Sequence, residues 1–575
     1  MTSYSWSSIL APLVRLFLLF FIVGPVVAGS IGILFPAFGW FPPLGGDCLS
    51  FIPFKTMMSA PGMTHSVWLS LSTAMLATSL SYFSVMLFLA VIWDHQVAQK
   101  LIKALSPILS VPHVTIAVGL MFLLQPSGWF VRLISPALTG WERPPVFGGL
   151  PDENGFMLVF GLMAKEIPFL LLMALSALSQ LPARQWISAS RTLGYGSVTS
   201  WFLIVQPNLS HRLLLPVLIV LVFSVSVVDM AVVLAPTTPP PLALRIMSWF
   251  KDPDTSARFY ASAAALLQVF VAGFAVILWK CGQLAGGMLL VYATRHGMRI
   301  NLPSGLNKPI HSLVTMLGVL PCFVGVTGLA VCLLWSFAEI WQFPDVFPSR
   351  FGVTGWSADS AVLLNAAINT ALVGLSSAFI GLILAMLWFE LTPQTCAGLT
   401  DMKATEMAIF IPLIVPQVAF LFGLQIMLVW LGLTGLYVTM IWAHLLFVFP
   451  YTVLSLGPAW RRWDRRLDDV GAGLGAGKLK RLFRIKLPVL IIPVMTSFAV
   501  GFAVSAALYL PTIFAGGGRI MTLTTEAVTL ASGSGRQALG IATMLQMALP
   551  LVVFLSADAA SRIRVTGEVP FRRHR

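Results

Sequence analysis

Charge is what this sequence has least of. Asp, Glu, Lys and Arg make up only 10% of its 575 residues, while 58% are hydrophobic and the mean hydropathy is +0.89. A water-soluble chain could not hide that much apolar surface, so lipid must be the solvent for much of it. Cysteine is scarce as well. Cys48, Cys281, Cys322, Cys332 and Cys396 are odd in number and form no C-x2-C pair, which argues against a disulfide framework or a zinc site. They read as small apolar residues in or beside the spans. The net charge of +14 comes from 35 basic against 21 acidic residues. The excess follows membrane faces and not one groove, so nucleic acid is not an expected partner.

Nucleotide fingerprints are also lacking. The run from Gly471 to Lys478 is glycine-rich, but a P-loop needs G-x4-G-K-[ST]. Ala472 stands five before Gly477, and Leu479 follows the lysine. The dinucleotide pattern fails at Ala476. No nucleophile–base pair or metal-ligand cluster is spaced for chemistry. The chain is therefore read as a non-enzyme with no catalytic residue, cofactor or metal, driven by a partner or an ion gradient.

What is present is a series of long apolar runs. A spanning helix needs roughly 20 mostly apolar residues. Twelve candidates fall at about 10–34, 66–92, 105–124, 155–178, 213–235, 259–280, 311–340, 361–390, 406–430, 434–458, 489–510 and 537–558. The first carries a weak cleavage-like Val26-Val27-Ala28, but only Arg15 lies near its start, so it is kept as a span. With the N-terminus inside, 24 of the 35 Lys and Arg fall in inner loops and the tail, and nine in outer loops. The bias places both termini in the cytoplasm. The fold class expected is all-α, a polytopic helical membrane protein.

One polar segment is written twice, 281 positions apart. The first copy is Ser188-Ala189-Ser190-x3-Gly194-x9-Ile204-Val205-Gln206-Pro207. The second is Asp469-Val470-Gly471-x3-Gly475-x9-Ile485-Lys486-Leu487-Pro488. Similarity extends beyond these loops, 182–207 and 464–488. Val111-Pro112 to Gly119-Leu120 matches Val415-Pro416 to Gly423-Leu424. Pro168 matches Pro450, and Leu267-Gln268 matches Leu545-Gln546. The reading is two tandem halves of six spans in one orientation, a parallel repeat. They cover 1–281 and 311–575, joined by a basic cytoplasmic linker at 282–310.

Each loop reads as a short helix, a glycine break, a second helical stretch and a proline that opens the next span. The small triplet lets another surface approach. Gly194 and Gly475 can take the positive φ that turns the chain. Pro207 and Pro488 sit where a helix start tolerates them. A lone Gly…Pro pair would be an ordinary connector, but the same spacing in two matching places is not.

The loops resemble the EAA loop, E-A-A-x3-G-x9-I-x-L-P, of bacterial ABC importer permeases. The twelve-span chain with two such loops resembles the fused permeases of the thiamine and ferric-iron importers. The resemblance implies a multi-pass protein of the bacterial inner (plasma) membrane that forms a translocation path. It implies coupling by Ser188, Ala189, Gly194, Ile204 and Pro207 in one loop. In the other it implies Asp469, Gly471, Gly475, Ile485, Leu487 and Pro488. The implied partners are two copies of a cytoplasmic ATP-binding subunit and a periplasmic or extracellular substrate-binding protein. The opening Glu of the pattern is Ser188 in one loop and Asp469 in the other, and the Leu before the proline is Gln206 in the first. The two docking sites are therefore expected to be unequal.

Charges within spans are costly, by roughly 2.5–3.5 kcal/mol on insertion scales. Lys165-Glu166 in span four reads as two groups that pair with other helices, with Glu166 also a candidate for the path. Asp229, late in span five, reads as an interfacial residue near the outer surface or as part of the path. Its approximate counterpart in the second half is Leu510, beside Tyr509 and Pro511, and Tyr509 is a candidate for the path. His444 reads as a hydrogen-bonded packing residue. The alternative function is a twelve-span ion-coupled transporter, which would want a relay of buried carboxylates. Glu166 is the clearest candidate for one.

Overall fold

In lipid every backbone polar group must be satisfied inside the chain, so apolar runs of this length become helices. The computed structural model describes residues 6–92, 110–145, 152–297, 307–358, 360–391, 407–533 and 535–567. The chain is a polytopic helical membrane protein. Among the described residues, nine helices are long and apolar enough to cross a membrane, and three bent pairs also qualify, up to twelve in all. Inner segment 93–105, residues 392–405 of the inner segment 391–405, the start of the expected third span and the middle of the linker lie outside the described residues.

The first helices in chain order are α1 (Trp6–Ala37), α2 (Met63–Ile92), α3 (His113–Leu124), α4 (Phe156–Leu178) and α5 (Ala183–Thr192). Next come α6 (Ser197–Arg212), α7 (Leu214–Val225), α8 (Asp229–Leu234), α9 (Leu242–Phe250) and α10 (Ala257–Arg295). The same order then recurs. It runs α11 (Asn307–Phe337), α12 (Ser360–Leu391), α13 (Gln417–Trp430), α14 (Tyr437–Arg461) and α15 (Arg465–Gly473). It ends α16 (Lys478–Val489), α17 (Ile491–Ala507), α18 (Leu510–Gly516), α19 (Leu523–Ala531) and α20 (Arg536–Gly567). A two-stranded hairpin, Ala338–Ile340 with Arg350–Phe351, follows α11.

Small details recur with the order. The N–H of Leu242, first in α9, donates to Ser70 Oγ at 2.8 Å, and the N–H of Leu523, first in α19, donates to Thr370 Oγ1 at 2.9 Å. Both fifth spans break midway, α7 to α8 across 226–228 and α17 to α18 across 508–509. The break frees carbonyls, and the matched glutamines answer them. Gln268 donates to Val225 O at 2.8 Å. Gln546 donates at 2.7 Å to Thr524 Oγ1, which donates to Ala506 O. A buried amide carbonyl left alone would cost about 1–3 kcal/mol.

The helix α10 continues without interruption to Arg295, past the expected end of the first half at 281. The expected ninth span bends by 102° between Ile414 and Gln417, while α6 meets α7 at 66° and α16 meets α17 at 83°.

The first helix of each series packs on the third helix of the other, α1 on α13 and α11 on α3. Glycines make these crossings possible. A Cβ at Gly423 would lie 1.9 Å from Gly29 O, and one at Gly119 would lie 2.8 Å from the carbonyl carbon of Gly328. Backbones touch directly there, as small residues permit in membrane helix pairs. Gly119 and Gly423 are the matched glycines of the third and ninth spans, so the repeat preserves the crossing point.

Candidate functional site: the paired loops and the buried charges

Each polar loop folds as two short helices at an angle. In the first, α5 ends in a turn where Gly194 has φ +84°; in the second, α15 ends where Gly475 has φ +79°. The N–H of Gly194 donates to Arg191 O at 3.0 Å and that of Tyr195 to Ser190 O at 3.2 Å. Gly475 N–H to Ala472 O at 2.9 Å and Ala476 N–H to Gly471 O at 3.0 Å repeat the pattern. This is the Schellman arrangement, whose left-handed residue is normally glycine. The turn expected at these glycines is present in both loops.

The small triplets divide between two surroundings. Their first two residues, Ser188 and Ala189 or Asp469 and Val470, are exposed, while the third is buried. A Cβ on Gly471 would sit 2.7 Å from Ile485 Cδ1, and Ser190 Oγ donates to Ser200 Oγ at 2.6 Å. The third small residue therefore admits the loop's own second helix. Ile485 of the motif is the residue it admits.

The prolines differ from expectation. Pro207 and Pro488 do not open the next span. Each follows a π turn, Trp201–Val205 or Leu482–Lys486, and the bend comes later, at Leu213 or Leu490. A proline ring collides with the carbonyl four residues back, and the wider π turn relieves that collision. Ile204 and Leu487 are half-buried against the spans.

One matched pair escaped sequence reasoning. Leu193 and Leu474, directly before the two turning glycines, are 66% and 83% exposed. A leucine directly before the turning glycine, repeated in place, was the available signal. The second loop also exposes Val470, Leu479 and Phe483, among Arg465, Arg466, Lys478, Lys480 and Arg484. Asp464 caps α15 by accepting from Arg466 N–H at 3.0 Å, and Asp468 pairs with Arg481 at 3.3 Å. In α5 the cap position is Pro182, which has no side-chain acceptor.

The buried charges lie elsewhere. Lys165 Nζ donates to Val111 O, at the entry to α3. Glu166 accepts from Ser81 Oγ of α2 at 3.2 Å and from Ser224 Oγ of α7. Adjacent residues thus serve different helices, as expected. Across the repeat, Val448 replaces Glu166, and a Cβ on Gly381, which takes the place of Ser81, would lie 3.0 Å from its Cγ1. Ser505, which takes the place of Ser224, meets His444 Nδ1 at 2.7 Å, and His444 Nε2 meets Thr512 Oγ1 at 3.1 Å.

Asp229 is buried at the first residue of α8, directly after the break in the fifth span. Its Oδ1 accepts from Met230 N–H at 2.9 Å. Tyr509, buried at the matching break, and Lys165 both lie within electrostatic reach of it. Glu166 is committed to two serines. Among the described residues, no three His, Cys, Asp or Glu side chains gather as a metal site would require.

No protein-family model matches the chain. Over 538 residues it is 28% identical to the inner membrane ABC transporter permease protein YnjC of Escherichia coli (strain K12), an alignment that covers 93% of this chain and 93% of that protein.

Proposed function

We propose that the chain is the membrane permease subunit of a binding-protein-dependent ABC importer in a bacterial inner membrane. The observation that carries this is the duplicated loop. Two polar helical elbows have the same Schellman turn, the same π turn and the same exposed leucine at the tip. A turn rebuilt to that detail at a second place is a docking shape, and the similarity to a permease along nearly the whole length supports the same reading. Each loop would seat in a cytoplasmic ATP-binding subunit, two copies per chain, with both termini on that side. The loop residues then act through their shape. Gly194 and Gly475 turn the chain, and Ser190 and Gly471 hold the elbow closed.

The two series α1–α10 and α11–α20 would form the two permease halves, meeting after Arg295. Asp229, Tyr509 and Lys165 would stand beside the central path, where both fifth spans break. Thiamine-like or ferric cargo rests on the resemblance of the two-loop chain alone, and a soluble binding protein outside would deliver it. The ion-coupled alternative loses its clearest relay carboxylate, because Glu166 is held by two serines.

Affinity purification of the full chain in mild detergent tests the proposal. An ATP-hydrolysing subunit should copurify at two per chain, and Leu193→Asp with Leu474→Asp should release it without loss of membrane insertion. Purification of the chain alone, with uptake that an uncoupler abolishes in ATP-replete vesicles, would overturn the reading.

A further inference from the structure

The two loops are joined to the spans by different chemistry. Lys486, the last residue of the second π turn, is buried. Its Nζ pairs with Glu390, at the end of α12, and lies 4.1 Å from the ring centroid of Trp460, at the end of α14. Trp460 stacks on Phe389 of α12 with centroids 5.8 Å apart. One ammonium thus binds the loop to two spans at once, through an ion pair and a cation–π contact.

The matching positions in the first half are all apolar. Val205 stands for Lys486, Ala90 for Glu390 and Leu178 for Trp460, and all three are buried. The polar tie found there is different: Gln206 Nε2 donates to the Tyr82 hydroxyl of α2 at 3.0 Å. The Lys486 side chain is 6% exposed and that of Glu390 39%, and a charge-assisted pair with an indole beside it resists displacement more than a neutral hydrogen bond between two flexible groups.

We infer that Lys486 is a positioning residue that locks the second loop to α12 and α14 as one rigid arm, while the first loop slides against its spans. The docking surfaces are alike but the transmission is not. Motion at the second loop passes directly into α12 and α14, and motion at the first is absorbed in part where buried Val205, Ala90 and Leu178 stand in place of the charged tie. The inference rests on the permease reading for its purpose but not for its geometry.

Nitroxide labels test it in lipid nanodiscs, in full-length protein with its native cysteines replaced. Leu474→Cys and Leu193→Cys report the loop tips, and Leu387→Cys on α12 and Leu87→Cys on α2 report the spans. Without any partner, Lys486→Met should raise the mobile fraction of the label at position 474 severalfold and leave that at 193 unchanged. Lys486→Arg, which keeps the charge and the ring contact, should restore the immobile spectrum. When ATP and vanadate trap the copurified complex, the 474–387 distance should hold while the 193–87 distance changes. In Lys486→Met both distances should change. Equal mobility of the two tips in wild type, or no response at 474 to Lys486→Met, would overturn the inference. Failure of the unlabelled chain to recover any ATPase would count against the permease reading and leave the mobility result to decide this one.

Discussion

Replacing Gly423 with alanine adds one methyl group where two helix backbones touch. The new Cβ would lie 1.9 Å from Gly29 O and 2.8 Å from Gly29 C. An ordinary C···O contact starts at about 3.3 Å, so α1 and α13 must part by about 1.4 Å at the crossing. A gap of about 0.5–1 Å already forfeits a quarter to a half of each dispersion contact along the seam. Overpacking of this kind costs about 1–3 kcal/mol, and the figure belongs at the upper end because the obstacle is backbone and cannot swing aside. Gly119→Ala meets the carbonyl carbon of Gly328 at 2.8 Å and needs a smaller shift, about 0.7 Å to reach a carbon–carbon contact near 3.5 Å. Gly286→Ala in α10 has nothing within 4 Å and should gain about 0.5–1 kcal/mol from helix propensity. The monodisperse fraction recovered after heating in detergent, read by size exclusion, should rank the three as Gly423→Ala least stable, then Gly119→Ala, then Gly286→Ala. A wild-type midpoint for Gly423→Ala would refute the backbone-contact argument.

Two further outcomes are expected. Gly475→Val should abolish the left-handed turn at φ +79°, at a cost of about 1–2 kcal/mol that the exposed loop relieves by unwinding; the protein should still insert but no longer retain the ATPase in pull-downs, and Gly194→Val should act in the same way. Glu166→Val leaves Ser81 facing an apolar group, and adding Ser81→Gly reproduces the Val448–Gly381 arrangement of the second half, so the double variant should recover about 1 kcal/mol of the single variant's loss in melting experiments.

Much of this was legible in the chain because hydropathy and spacing are local. Apolar runs without charge must become helices in lipid, whatever they pack against. The turning glycines could be placed because a Schellman end requires a left-handed residue, and the two loops agreed on where it falls. The expected and observed spans differ mostly where a helix breaks within the membrane. In the run Leu214 to Leu234 the Gln268 that answers the carbonyl freed by the break is 43 residues away from Val225 in the chain. Periodicity holds no trace of such a partner.

The long-range pairings were decided by the tertiary structure alone. Gly29 with Gly423, Gly119 with Gly328, and Lys486 with Glu390 and Trp460 are contacts between elements far apart in sequence. Each residue taken alone has an ordinary explanation: a glycine in a span, a lysine at a membrane face, a tryptophan at an interface. The sequence could show that Lys486 and Val205 differ at matching places. It could not show that the difference changes how a loop is fastened, because that depends on which side chains the fold brings within a few ångströms.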